Sequence, residues 1–263
     1  MITTSSNAQS AALQPLPNAL QHKIEILFTD VDDTLTWQGK LPVETFVALD
    51  KLRKKGITVI PVTGASAGWC DCMIRTWPID YVIGENGSFW MARDKNGKVS
   101  YNYSVQEQQR QQNLATLHTL AAEVKKRFPS IDYTPDQAFR FTDIAFDIGQ
   151  ETKVDPQQAL AALQWLQQQG INAKLSSIHI NAWLGDYSKA ATALRWLADQ
   201  GKSTTEHCAF IGDSPNDEAM FEHFDCSIGV ANIAKFVDNM QYHPRYITQS
   251  NGGFGFVELA DIL

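Results

Sequence analysis

From residue 24 onward, short apolar runs rich in β-branched residues alternate with segments whose apolar positions recur at helical spacing. That is the pattern of βα units laid around a parallel sheet. Residues 24–28 are the first strand it predicts. A helix should follow, since Pro42 suits a first turn, Val43, Phe46, Val47, Leu49 and Leu52 make an apolar stripe, and Gly56 supplies the stop. Residues 57–62 predict a second strand, 67–77 a helix and 81–83 a third strand.

The texture then changes. Residues 88–92 and 99–103 flank Asp94-Lys95-Asn96-Gly97, so an antiparallel hairpin is expected in place of another βα unit. A long polar helix (105–128), a strand (140–148), a helix from Pro156 to Gly170 and strands within 171–184 complete an α+β block. After Ser188 the βα rhythm returns, with a helix through Leu197, a strand at 207–211, a helix after Pro215 and a strand at 226–230. The chain therefore reads as an α/β core in two pieces, residues 23–87 and 187–263, with an α+β cap inserted at 88–186. Residues 1–22, rich in Ser, Ala, Gln, Asn and Pro without periodicity, are expected to form a loosely held tail.

A length of 263 residues is enough for such a core and insertion. The net charge of −7, with no block of Lys and Arg, argues against a nucleic-acid partner. No apolar stretch is long enough to span a bilayer, and the first twenty residues lack the basic start and apolar middle of a signal peptide. A cytoplasmic protein with no membrane partner is the expectation. The four cysteines, Cys70, Cys72, Cys208 and Cys226, form no CxxC pair and are read as reduced thiols.

The chemistry begins at TDVDDTLT, residues 29–36, where acids crowd the end of an apolar strand. Asp30 and Asp32, two residues apart, project to the same side, and such a pair needs a cation or a shared proton. A lone DxD is more often a solvated turn that caps the next helix. An EF-hand would need Gly and Glu where this chain has Leu35 and Leu41. Other strand ends strengthen the signal. VTGAS puts the Thr63 hydroxyl and the turn amides at Gly64 after the second strand, and IGDSPND adds Asp213 and Asp217 after the strand at 207–211. In an open α/β sheet, ligands collect at the carboxyl ends of strands, so these distant loops can meet. Lys189, near a helix start, can supply the opposing cation.

These residues, in this order, resemble the haloacid dehalogenase-like hydrolases, in the phosphatase branch (Cof-like and sucrose-phosphatase-like) whose cap is inserted between the second and third motifs. DVDDTLT matches the first motif, Thr63 the second, Lys189 the third and GDSPND the fourth, and GENGS (84–88) is similar to the branch's segment leading into the cap. Asp33 stands where many relatives carry Gly. The resemblance implies a Rossmann-like parallel-sheet core and a Mg²⁺-dependent phosphatase acting on a small phosphate ester, with a sugar phosphate as the preferred substrate. It implies Asp30 as nucleophile and Asp32 as the acid that protonates the leaving oxygen. Thr63 and Lys189 would hold the phosphoryl oxygens. Asp30, Asp213 and the main-chain carbonyl of Asp32 would be metal ligands, with Asp217 a ligand or its support. A phosphomutase and a non-catalytic metabolite-binding protein are the rival readings.

Residues 177–183 alternate, with Ile178, Ile180 and Ala182 on one face and His179, Asn181 and Trp183 on the other. The second face suits a polyol, Trp183 stacking on a ring while His179 and Asn181 bond hydroxyls, and an exposed sheet face is the plain alternative. Arg140 is a candidate fork for a second anionic group, against the alternative of a salt bridge. Asn86, Asn216 and Glu85 adjoin the motifs and are expected to touch substrate or order the site. Asp143 and Asp147 are expected to be solvated or helix-facing, and Trp69, Trp77, Trp165 and Trp196 to pack in the core.

Overall fold

The computed structural model describes residues 13–176, 178–202 and 204–263. The first part of the core runs β1 (Gln14–Pro15), β2 (Ile26–Thr29), α1 (Val43–Lys54), β3 (Thr58–Pro61), α2 (Ala67–Thr76) and β4 (Tyr81–Gly84). The middle of the chain runs β5 (Phe89–Arg93), β6 (Val99–Tyr103), α3 (Glu107–Arg127), β7 (Asp132–Tyr133), β8 (Asp143–Asp147), α4 (Pro156–Gln168), β9 (Asn172–Leu175) and β10 (His179–Trp183). The return consists of α5 (Lys189–Asp199), β11 (Cys208–Gly212), α6 (Glu218–His223), β12 (Ser227–Gly229), β13 (Tyr246–Ile247) and α7 (Gly252–Ile262).

Six strands form a parallel sheet in the order β1-β13-β12-β11-β2-β3. Helices cover both faces, so β2 is buried throughout, with Leu27 in one apolar cluster and Phe28 in the other. The sheet puts the ends of β2 and β11 side by side. The expected tail joins this fold in part: β1 pairs with β13, and Leu16 and Leu20 pack on the core, while residues 1–12 lie outside the described residues.

Of the expected stripe on α1, Leu49 and Leu52 are buried, joined by Thr45 and Ala48, while Val43, Phe46 and Val47 are exposed. The reason is its close neighbour α7, since a Cβ on Gly253 would lie 2.2 Å from Thr45 Oγ1. That approach sets the Thr45 face of α1 against α7, and Val43 and Val47 lie on the outward side of the helix. Trp69, expected in the core, is exposed on α2.

The third predicted strand, β4, meets the main sheet through a parallel bridge between Val62 and Ile83, then pairs antiparallel with β5, which pairs with β6. Phe89 and Met91 of this hairpin sit in the same apolar cluster as Leu27. The hairpin, expected to open the inserted block, thus packs with the core. Beyond it, the antiparallel sheet β7-β8-β10-β9 packs Ile144, Phe146, Ile180 and Ala182 against Leu117, Ala121 and Val124 of α3 and Ala159, Ala162 and Leu166 of α4. Its opposite face carries His179 and Asn181 toward the core, as the alternation predicts.

Candidate active site

Backbone pairing builds the site first. Asp30 N donates to Ile211 O at 2.9 Å and Val62 N to Thr29 O at 2.8 Å, which ties the ends of three strands into one rim. Lys189 begins α5, whose N-terminus is capped by Ser188 Oγ accepting from Ala191 N at 3.1 Å. From there Lys189 Nζ donates to Asp30 Oδ1 at 2.6 Å, Asp217 Oδ1 at 2.8 Å and Asn216 Oδ1 at 3.4 Å. Asp213 N donates to Asp217 Oδ2 at 3.1 Å. Gly212 permits that return of the carboxylate, because a Cβ there would lie 2.5 Å from Asp217 Oδ2. Asp30, Asp213, Asp217 and Lys189, separated by up to 187 residues of numbering from 30 to 217, thus share one buried cluster.

Burial raises the Asp30 carboxyl well above its usual range, with Lys189 opposing the rise and Asp217 adding to it. Burial and then Asp217 push Asp213 up to about 7. Lys189 is disfavoured as a cation by burial, but Asp217 and Asp30 outweigh that and hold it above its ordinary value. Fully ionised, the three carboxylates would outnumber the single ammonium, which, with burial, is why two of them are pushed up. Asp30, Asp213 and Asp217 can each offer an oxygen within 4.8 Å of the others. Hard oxygen donors so placed, with excess negative charge when ionised, fit a divalent cation, which would reverse the upward shifts. Asp32 stands apart from this triad. Its side chain opens onto the cleft yet is hemmed in by protein, and that burial raises its carboxyl, with Lys189 opposing.

Thr63 is fully buried at the next strand end, where its Oγ1 accepts from Ala65 N at 3.0 Å and its carbonyl accepts from Asn86 N at 3.0 Å. Asp30, Asp32, Gly64, Asn86, Asp213, Ser214 and Asn216 of the core line a cavity of about 30 Å³ that is roofed by Ser176, His179 and Asn181 of the cap. Asn86 Nδ2 is buried and has no partner within the described protein. In this conformation the cavity is too small for a phosphate ester.

Two cap candidates are engaged with other parts of the protein. Trp183 is 3% exposed, stacks on Tyr187 with ring centroids 6.1 Å apart, and donates from Nε1 to Tyr187 O at 3.3 Å. Its ring is packed away and does not line the cavity. Arg140 is also buried, donating to Asp143 Oδ1 at 3.0 Å, Asp136 Oδ1 at 3.3 Å and Gly64 O at 3.1 Å. With two carboxylates already on its fork it has no free edge for an anion. Asp143, expected to be solvated or helix-facing, is its fully buried partner and accepts also from Asn181 Nδ2 at 3.4 Å. Asp147 gathers a loop, accepting from the amides of Gly149, Gln150, Glu151 and Thr152. His179, with Nε2 2.7 Å from Gln150 Oε1, is lowered to about 4 by burial and then Arg140, so it is neutral at pH 7.

Glu85 orders the junction. Oε1 accepts from Ala67 N and Phe141 N, both at 2.9 Å, and Oε2 from Thr142 N at 2.8 Å and from Thr142 Oγ1. One core carboxylate thus ties α2 to the cap, and the turn that carries it has positive φ at both Glu85 (43°) and Asn86 (57°). The sequence reading missed Asn232, whose Nδ2 donates to Asp213 Oδ2 at 3.0 Å and Asp33 O at 3.1 Å while its Oδ1 accepts from Gly252 N at 2.9 Å. Its signal was its place just beyond the strand 226–230, on the same rim as the acids.

The chain is similar to proteins named phosphoglycolate phosphatase from Methanosarcina mazei (26% identical over 248 residues, 92% of this chain and 97% of the relative) and Methanobrevibacter smithii (22% over 237 residues, 89% and 96%). Its fold resembles that of a Thermoplasma acidophilum crystal structure (TM-score 0.72, 18% identity, 92% of this chain and 100% of that one). It also resembles the sucrose-phosphatase of Synechocystis solved with sucrose and phosphate (TM-score 0.65, 14% identity, 90% and 97%). Residues 27–255 match the family model of haloacid dehalogenase-like hydrolases, which takes in both halves of the core, the cap and every acid of the cluster, so the chain belongs to that family.

Proposed function

We propose that the protein is a Mg²⁺-dependent phosphatase that hydrolyses a small phosphorylated metabolite through an aspartyl-phosphate at Asp30. The observation that carries this reading is the contact of Lys189 with both Asp30 and Asp217 beside Asp213. A nucleophilic carboxylate, a fixed cation and a further set of oxygen donors lie within reach of one phosphoryl group.

An Asp30 oxygen would attack phosphorus while the P–O bond to the leaving alcohol breaks, and Asp32 would give that oxygen its proton. The upward shift of its carboxyl, caused by burial and opposed by Lys189, is in the direction that a proton donor needs. Asp32 would then take a proton from water as the water attacks phosphorus, releasing phosphate and restoring Asp30. Lys189 and Thr63 would hold phosphoryl oxygens, Thr63 by donating its hydroxyl hydrogen while its Oγ1 goes on accepting from Ala65 N. Asp30, Asp213 and Asp217, with the Asp32 carbonyl, would hold Mg²⁺. When bound, the ion supplies positive charge to the phosphoryl oxygens. We take the region between Ser104 and Ser188 as the moving cap, since the hairpin before it packs with the core.

The closed cavity favours a small ester over a phosphoprotein. Two leaving groups come into view: a neutral sugar, as in the sucrose-phosphatase likeness, and a small hydroxy acid, as in the names of the two relatives. With Trp183 packed on Tyr187, the surface for stacking a sugar ring is gone, which favours the second. Purified protein incubated with a panel of phosphate esters, with Mg²⁺ or with a chelator, is expected to release phosphate only with the metal. Asp30→Asn should remove that release. An isomerised ester in place of phosphate would support a phosphomutase, and no reaction with any ester would support a binding protein.

A further inference from the structure

Lys174 lies on β9 directly across from Asn181 on β10. Opposed residues share a face of the sheet, so Lys174 stands on the core-facing side, beside the roof of the cavity. Its Nζ donates to the main-chain carbonyl of Asn216 at 3.5 Å, while Lys189 holds the side-chain oxygen of the same residue at 3.4 Å. The width of one asparagine, itself a lining residue, therefore separates the cap lysine from the lysine that bonds Asp30.

The other two basic groups here are committed to acids, Lys189 to Asp30 and Asp217, and Arg140 to Asp136 and Asp143. Among the described residues, Lys174 has no carboxylate at ion-pair distance. It is only partly exposed, and burial lowers its affinity for a proton, with Lys189 acting in the same direction and the more distant charges of Asp217 and Glu218 opposing without outweighing them. An ammonium drawn out of water and bonded only to a carbonyl lacks an anion. The phosphoryl group already has Lys189. Neutral hydroxyls could be served by Ser176, His179 and Asn181, which line the roof, and would not need a cation there.

We infer that Lys174 is a specificity-determining residue that binds a carboxylate on the leaving group, making the preferred substrate a small phosphorylated acid. This rests on the phosphatase reading above and narrows its substrate class. With the cap closed, the carboxylate would sit against Lys174 Nζ, at the mouth of the cavity, while the phosphoryl end faces Asp30. The remaining polar groups of the roof would take the hydroxyl or ether oxygens between them.

The test compares kcat/KM for 2-phosphoglycolate and 3-phosphoglycerate with that for ethyl phosphate, a neutral-tailed ester, in the wild type, Lys174→Met and Lys174→Arg with Mg²⁺ present. The wild type should prefer the carboxylated esters. Lys174→Met should reduce that preference about 10- to 100-fold, the worth of a charge-assisted bond, chiefly through KM. Lys174→Arg should restore much of it. Turnover of ethyl phosphate reports that each variant is folded. A wild type without preference, or an equal loss on all three esters in Lys174→Met, would overturn the inference while leaving the phosphatase intact. Release of phosphate from none of a broad ester panel by the wild type would overturn the phosphatase reading, and the inference with it.

Discussion

The Glu85 junction makes a quantitative claim about stability and pH. Burial first, and then the charge of Asp143, raise the Glu85 carboxyl from an ordinary 4.5 to about 7, despite the bonds it accepts from Phe141 and Thr142. A folded-state value above the unfolded one means that the folded protein binds more protons between those two values. The contribution is therefore fully present below pH 4.5 and is lost as pH rises through about 7. At about 1.36 kcal/mol for each tenfold change in proton affinity, the whole effect is on the order of 3 kcal/mol, most of which falls between pH 5 and pH 8.

Replacing Glu85 with Gln removes the titration while keeping the side chain's size and an acceptor for the Ala67 and Phe141 amides. The assay is urea unfolding of both proteins at pH 5 and pH 8 at one fixed Mg²⁺ concentration. Asp30, Asp32 and Asp213 titrate in the same direction in both proteins, so their contribution cancels in the difference. The wild type should lose about 2 to 3 kcal/mol more than Glu85→Gln over that range. Parallel losses in the two proteins would refute the reasoning, because they would mean that Glu85 is as free to ionise in the folded chain as in the unfolded one.

Other outcomes follow from the same geometry. Asp213→Ala should raise the Mg²⁺ concentration needed for half-maximal turnover by at least tenfold, read from a metal titration, since it removes a carboxylate of the triad; an unchanged titration would exclude Asp213 as a ligand. Mg²⁺ at about 100 times its dissociation constant should stabilise the wild type by about 2.7 kcal/mol and Asp213→Ala by much less at that same concentration, as measured by thermal melts. Trp183→Ala should act on stability, costing about 3 to 5 kcal/mol as a buried aromatic, and should leave the ranking of phosphate esters unaltered; a changed ranking in a fully stable variant would return the ring to the substrate.

The core was legible because its chemistry depends on where strands end. Asp30, Thr63 and Asp213 each follow an apolar run, and in a parallel sheet such ends share a rim whatever the rest of the chain does. Lys189 needed more, since its place at the start of α5 reads as a helix terminus and only the ordered set of motifs gives its ammonium a destination. The hairpin at 89–103 was legible as a hairpin, but not the packing of Phe89 and Met91 beside Leu27, because strand alternation carries no record of what a sheet packs against.

The cap shows the same division more sharply. A period of two correctly put Ile180 and Ala182 against the helices and His179, Asn181 and Trp183 on the other side. Yet His179 and Asn181 reach the cavity while Trp183, on the same face, is covered by Tyr187, four residues further along the chain. Arg140 and Asp143 are three residues apart and satisfy each other, so neither remains for a ligand, whereas Lys174 has no acid at ion-pair distance among the described residues. Periodicity decides the side a residue takes. What waits on that side, whether water, a paired charge or a substrate, is set by chain that arrives from elsewhere, and a desolvated charge left unpaired after that assembly is the feature that points to something the protein itself does not contain.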